Sequence, residues 1–375
     1  MGFNLKSVTI CSLLCAAATA AHAGTITVTN TNDSGPGSLR QALIDATDGD
    51  TIDATGVSGV ITLISGELLV DKNVTISGSG ADNLSVDANA NSRVFHIGSG
   101  QTVTISRLTV ANGRVFGFPD DIGAGIDNDH ATLTVSACTI TGNSADRSGG
   151  GIYNDHGTLS INDCTVSANF ADNTGGGLYH DGSNGTASGE INGCIFINNT
   201  SFSGGAIFNN GNSGAATLDI SKTVVTNSSV IADGGGIYND HAHMTLNDCT
   251  ISNNSAGSNG GGGIYNSGEN QGTATMEIGS STLSGNSSQF NGGAIYTNGD
   301  INGMASVQIV DSTLSGNSAV NFGGAIYNRG TLGTSSVLIA NSTVADNSAQ
   351  SSGDSIYNFV QPAFPGDVKI GRAHV

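Results

Sequence analysis

Three tripeptides of one composition recur in the chain: Asn128-Asp129-His130, Asn154-Asp155-His156 and Asn239-Asp240-His241. His180-Asp181 falls in the same register with the order changed. Imidazoles and carboxylates held close together can bind zinc or another transition metal. Asp129, His130, Asp155 and His156 are the residues that would do so, because successive copies stacked one above the other would lie about 5 Å apart. The bland alternative is a turn. Asn210-Gly211, Ser267-Gly268, Asn298-Gly299 and Arg329-Gly330 fill that register elsewhere, and these are turn dipeptides. The register reads first as a turn that sometimes carries a histidine, with a metal site as the alternative.

Two other groups could carry chemistry. Cys138, Cys164, Cys194 and Cys249 share a register that alternation points inward, with Lys222, Ser281, Ser312 and Ser342 in the equivalent places. Three successive cysteines and one isolated from them do not pair neatly, so buried free thiols are expected. Export would also permit a bridge between adjacent members. Asp120 and Asp121 lie in an irregular stretch, GRVFGFPDDIG, and paired carboxylates can hydrolyse a glycoside. Arg114 is the only close basic residue, and no Arg-x-Lys pair is present to hold an acidic sugar. These two aspartates are the catalytic candidates, on a neutral glycan. The chain has no P-loop, GxSxG, HExxH or GGxGxD array.

Composition limits what these residues can serve. The 375 residues include 56 Gly, 4 Pro and no Trp, and only 11% are charged. An even spread of 37% hydrophobic residues argues for many short buried segments joined by turns. The net charge is −19, from 11 basic against 30 acidic side chains. Phosphate backbones need cationic neutralisation, so nucleic acid is excluded as a partner, and anionic lipid surfaces with it. Turn carboxylates could hold Ca²⁺.

Residues 1–23 read as a signal peptide. Lys6 gives the positive start, residues 8–18 a short apolar core, and Ala21-His22-Ala23 a small-x-small cleavage site. No other segment is long and apolar enough to span a bilayer. The chain is therefore expected outside the cell or at its surface, as a monomer.

The elements that position these residues repeat. Variants of GGAIYN place an aliphatic residue at Ile126, Ile152, Leu178, Ile207, Ile237, Ile264, Ile295, Ile326 and Ile356, at spacings of 26 to 31 residues. Such a period signals a solenoid. Two more alternating segments follow each copy, as in Leu159/Ile161 and Cys164/Val166, giving three short strands per coil. Asn112, Asn143, Asn169, Asn199, Asn227, Asn254, Asn286, Asn317 and Asn347 hold one register and are expected to form a structural ladder. Tyr153, Tyr179, Tyr238, Tyr265, Tyr296, Tyr327 and Tyr357 hold another, with Asp127 and Phe208 completing it. Alternation points these rings away from the coil interior, as a stiffening aromatic ladder or as a stripe that binds sugar or peptide. Loops after each copy vary most and would emerge along one edge. On a rigid scaffold that is where binding resides. Residues 38–46 alone have helical spacing, with Ser38 as N-cap, and would cover the open end of the stack.

The GGAI(Y/F)N and Asn-ended strand motifs resemble repeats of polymorphic outer-membrane-protein type adhesins, and the whole of 25–358 resembles bacterial right-handed parallel β-helix proteins. The opening TITVTNTNDSGPGSLRQALIDA is similar to the leading segment of many secreted proteins of that fold. The resemblance implies an all-β, right-handed parallel β-helix over residues 24–358, with 24–60 as cap region, and an autotransporter-like surface role. It implies an adhesin-like scaffold that binds glycan or cell-surface protein. A polysaccharide lyase or glycoside hydrolase on the same fold is the alternative, and a structural surface stalk is a third reading. Residues 359–375 read as an exit from the solenoid that is cut short, with 370–375 matching a translated sequencing adapter.

Overall fold

The computed structural model describes residues 23–117, 121–360 and 367–370. The expected signal peptide and Asp120 lie outside these residues, apart from Ala23. Every paired strand runs parallel to its neighbours one coil before and one coil after. Ile152–Asp155, for instance, lies between Ile126–Asp129 and Leu178–Asp181 in register. One representative coil is Ile152–Asp155, Thr158–Asn162, Thr165–Ser167 and Phe170–Ala171. The first three segments belong to sheets of 11, 13 and 11 strands, the three faces that the periodicity predicts. The fourth is a two-residue segment that builds a narrow nine-stranded ladder at one corner. It escapes sequence reading because two residues are too few for alternation to show.

The faces follow from side-chain alternation. Ile152, Leu159, Ile161, Cys164 and Val166 all point inward and are buried, in one core that runs from Val28 to Val344. Coil lengths differ without disturbing this core. The second-face strand has five residues in Thr158–Asn162 and seven in Thr186–Asn192. A two-residue extension preserves which side chains face inward, whereas one residue would reverse them.

The ends are covered differently. The helix Leu39–Asp45 buries Leu39, Ala42 and Leu43 against the first coil. Ser38 Oγ accepts the Gln41 N–H at 3.1 Å, as the N-cap reading requires. At the other end the coil runs past residue 358. The last first-face strand is Ile356–Val360, and Asp367–Ile370 adds to Thr334–Ala340.

Seven of the nine asparagines of the ladder register stand in one hydrogen-bonded column, and two do not. Asn143, Asn169, Asn199, Asn254, Asn286, Asn317 and Asn347 are buried in one column. Asn286 is typical. Its Oδ1 accepts from the Asn254 backbone N–H and Nδ2, and its Nδ2 donates to Ile251 O and Asn317 Oδ1. Asn112 and Asn227 do not belong. Both are exposed, at φ 54° and 53°, one residue before the column. Gly113 and Ser228 stand in the ladder instead, and their N–H groups donate to Asn143 and Asn254 Oδ1. The same one-residue slip moves Lys222 out of the cysteine column, where Thr223 Oγ1 accepts the Cys194 N–H. Asparagine suits both places, one as a carboxamide bridge and the other because it tolerates left-handed backbone.

Candidate functional site

The histidine turns close the first-face strands. His130, His156 and His241 have φ near 50°, so each occupies a left-handed turn position, as the bland reading expects. Within each turn the imidazole Nδ1 faces the preceding aspartate. The separation is 2.6 Å for His130–Asp129 and for His241–Asp240, and His156 and Asp155 are in equally close contact. His156 Nε2 lies 2.7 Å from Ser183 O, and His241 Nε2 lies 2.7 Å from Glu269 O. His130 and His156 stack across adjacent coils with ring centroids 4.9 Å apart. The structure thus brings Asp129, His130, Asp155 and His156 together. His180-Asp181 does not join them as a reversed copy. Asp181 pairs with Asp155, and His180 pairs with Asn154.

That pairing reveals a second polar ladder, inside the coil. Asn128, Asn154, His180, Asn209, Asn239, Asn266, Thr297 and Asn328 form a fully buried column. Asn128 Nδ2 donates to Asn154 Oδ1 at 2.6 Å, and Asn239 Nδ2 to Asn266 Oδ1 at 2.8 Å. His180 replaces a carboxamide, with Nδ1 3.1 Å from Asn154 Nδ2. Its ring fits because the facing second-face position is Gly189, where any Cβ would meet the ring at 3.1 Å. Burial pulls the imidazole pKa down to about 4, against the opposing carbonyls of Ala187 and Thr217. The signal for this ladder was present: Asn154 has the same parity as Ile152, so alternation places it inward.

The tyrosine column points away from the interior, as alternation requires, but it is not an exposed stripe. Tyr153, Tyr265, Tyr296 and Tyr327 are buried, while Tyr179 and Tyr238 are only partly accessible. In four coils the end of the first-face strand one coil later holds the hydroxyl. Tyr153 O–H donates to Asp181, Asn210 donates to Tyr179, Asn298 to Tyr265, and Arg329 to Tyr296. Rings from Tyr153 to Tyr238 stack at 4.6 to 5.3 Å through Phe208. Burial raises the phenol pKa of Tyr327 to about 12. The column is a packed aromatic ladder tied at its hydroxyls to the ends of the neighbouring strands.

The remaining candidates are structural in form. Asp121 Oδ1 lies 3.1 Å from Arg147 Nε, and the Arg147 N–H donates to Asp121 O. The basic partner is therefore Arg147, which follows one coil later, and not Arg114. Cys138, Cys164, Cys194 and Cys249 are buried free thiols. The hydrogen bond to Cys138, and burial after it, push the Cys164 thiol up to about 12 against the opposing contact with Cys194. A thiol reagent is expected to modify none of the four in the folded chain and all four in denaturant. Native reaction at any of these four, or a shortfall among them in denaturant, would contradict this.

The loops after the tyrosine strands stack along one edge. Asn270, Ile301 and Leu332 are equivalent, linked by Asn270 N–H to Asp300 O and Ile301 N–H to Thr331 O, both 3.1 Å. Their φ angles are 57°, 54° and 59°. Ile301 is 51% exposed and Leu332 is 50% exposed. A groove of about 560 Å³ crosses the second face, lined by His243, Glu277, Gln308 and Leu338 among others. Sequence reading located this edge but not these two residues, which lie in the irregular loops.

Comparison with known proteins bears on the repeats. The Chlamydia polymorphic membrane protein (Chlamydia_PMP) repeat matches residues 137–155, 248–267, 280–298 and 311–329. No curated protein is significantly similar in sequence. Among solved structures, the catalytic unit of an α-1,3-glucanase from Streptomyces thermodiastaticus has 16% identity over 94% of this chain and 69% of its own, with TM-score 0.41. Pectate lyase Pel9A has 14% identity over 88% and 80%, with TM-score 0.39. ORF18 of Geobacillus virus E2 has 12% identity and TM-score 0.39, and the match takes in 92% of this chain but 61% of ORF18. These likenesses assign no activity. Among the described residues, no helix is long and apolar enough to cross a membrane.

Proposed function

We propose that this parallel β-helix, whose coils carry repeats of the polymorphic-membrane-protein type, is an exported adhesin-like scaffold that binds a glycan or protein partner along its loop edge. The observation that carries the reading is the backbone at Ile301 and Leu332. An L-residue in the left-handed region costs about 1–2 kcal/mol, and a β-branched one is an outlier there. Folding alone favours Asn or Gly, and Asn270 fills the equivalent place one coil earlier. Burial gives no return, since both side chains stand half in solvent. Strain kept for the sake of exposed apolar groups is a mark of a functional surface. Met304, 53% exposed, begins the strand Met304–Val310, whose Ser306 and Gln308 line the second-face groove.

The test is binding of the full chain to a panel of immobilised neutral glycans and to intact cell surfaces. Saturable binding to at least one is expected, weakened tenfold or more by the double variant Ile301→Asn/Leu332→Asn. Binding that survives the double variant, or no binding at all, would sink the reading. The same panel, assayed for released reducing ends or unsaturated products, separates a binder from a carbohydrate-active enzyme.

A further inference from the structure

We infer that His130, Asp155 and His156 form a binding site for one divalent transition-metal ion of the kind that prefers imidazole, such as zinc, nickel or copper, with the Asp129 carboxylate alongside as a further ligand. Nothing in the loop-edge reading depends on this site, which lies at the tight turns nearer the N-terminal end.

Three features of geometry support it. First, one donor atom from each of the three residues lies within 4.8 Å of the others. Zinc bonds of about 2.0–2.1 Å need ligand atoms about 3.4 Å apart, so the site closes with movement of about 1 Å. His130, whose side chain is 51% exposed, is free to make that movement. Second, one carboxylate serves both imidazoles. His156 Nδ1 contacts Asp155 Oδ1, and His130 Nδ1 lies 3.9 Å from Asp155 Oδ2. Third, the outer partner needed to orient a ligating histidine is already in place. His156 Nε2 lies 2.7 Å from Ser183 O, and a carbonyl only accepts, so Nε2 carries the hydrogen. The Nδ1 lone pair is then left facing a carboxylate oxygen. A proton on Nδ1 satisfies that contact when the ring is charged, and a metal ion would displace this proton as the pair opens to admit it, with the second imidazole one coil away completing the set.

His241 provides an internal control. It has the same local arrangement, with Nδ1 at Asp240 and Nε2 at Glu269 O. Its neighbours in register are Gly211 and Gly268, so no second imidazole reaches it. Two nitrogens and carboxylate oxygen select transition metals over Ca²⁺, which takes six or more oxygens.

The experiment is calorimetric titration of the full folded chain with zinc, in parallel with His130→Asn, His156→Asn and His241→Asn. Asparagine is chosen because it tolerates the left-handed backbone that these turns require. One zinc per chain is expected. Binding should weaken at least tenfold in His130→Asn and in His156→Asn, and stay unchanged in His241→Asn and in excess Ca²⁺. Copper loaded at one equivalent should show two-nitrogen hyperfine structure by electron paramagnetic resonance, reduced to one nitrogen in His130→Asn. The inference is overturned by the absence of saturable zinc binding, or by binding that His130→Asn leaves intact.

Discussion

Replacing Asn286 with alanine should destabilise the coil stack by about 4 kcal/mol, while Asn227→Gly should change it by less than about 0.5 kcal/mol. The two residues look alike in sequence, and only their register differs. Asn286 is fully buried, and its carboxamide makes four hydrogen bonds that join three successive coils. Alanine would leave the Asn254 N–H without a partner in the interior, at about 1–3 kcal/mol, and would remove three further bonds of about 0.5–1.5 kcal/mol each, one of them to the Ile251 carbonyl that the sheet ladder also uses. Asn227 points to solvent at φ 53°, a conformation that glycine adopts freely. The shift in urea midpoint gives the comparison. Hydrogen exchange at the Asn254 amide localises it, since a solenoid opens coil by coil. Equal effects for the two substitutions would mean that the register is wrong.

Acid should weaken the wild-type fold through His180 more than it weakens His180→Asn. The pKa of the buried imidazole is about 4 in the folded state, against about 6.5 when exposed. Between these values the unfolded chain binds a proton that the folded chain refuses. The His180 contribution is therefore complete above pH 6.5 and falls as pH drops toward 4, by on the order of 3 kcal/mol. Other groups act in the same range. Burial raises Asp127 and Asp233 to about 6, so their neutral forms favour the fold at low pH and that contribution is lost as pH rises through 6. His241, raised chiefly by its bond to Asp240, also favours the fold at low pH and loses that contribution as pH rises. The difference between wild type and variant cancels these terms. His180→Asn leaves space beside Gly189 and is expected to lose some stability at neutral pH, so the slope between pH 4 and 6.5 is the quantity to read. A variant slope as steep as that of the wild type would show that His180 is not neutral in the fold.

The parts of this structure that were legible from sequence are those set by alternation and period. Ile152, Leu159 and Val166 mark three faces because each repeats its parity in every coil, and Ser38 marks the helix because its neighbours change period. What escaped was set by details of one residue. Asn112 and Asn227 read as ladder members because a turn asparagine and a bridging asparagine are the same letter. Alternation points the tyrosines away from the core, yet it carries no information about the side chains of the next coil that tie down their hydroxyls. The histidine turns were visible as a pattern. That one carboxylate faces two imidazoles, and that Ser183 fixes a tautomer, depends on a loop 27 residues later. Ile301 and Leu332 carry no sequence signal, since their interest lies in backbone angles that their types disfavour.

The most direct measurement pairs stability with binding in Ile301→Asn/Leu332→Asn. If these residues hold a strained conformation in order to present apolar groups to a partner, the double variant becomes more stable by about 1–2 kcal/mol and loses binding to glycan or cell surface. If the variant is less stable, the loops need these side chains for folding. If it is more stable and still binds, the loop edge at Ile301 and Leu332 is not where this scaffold meets its partner.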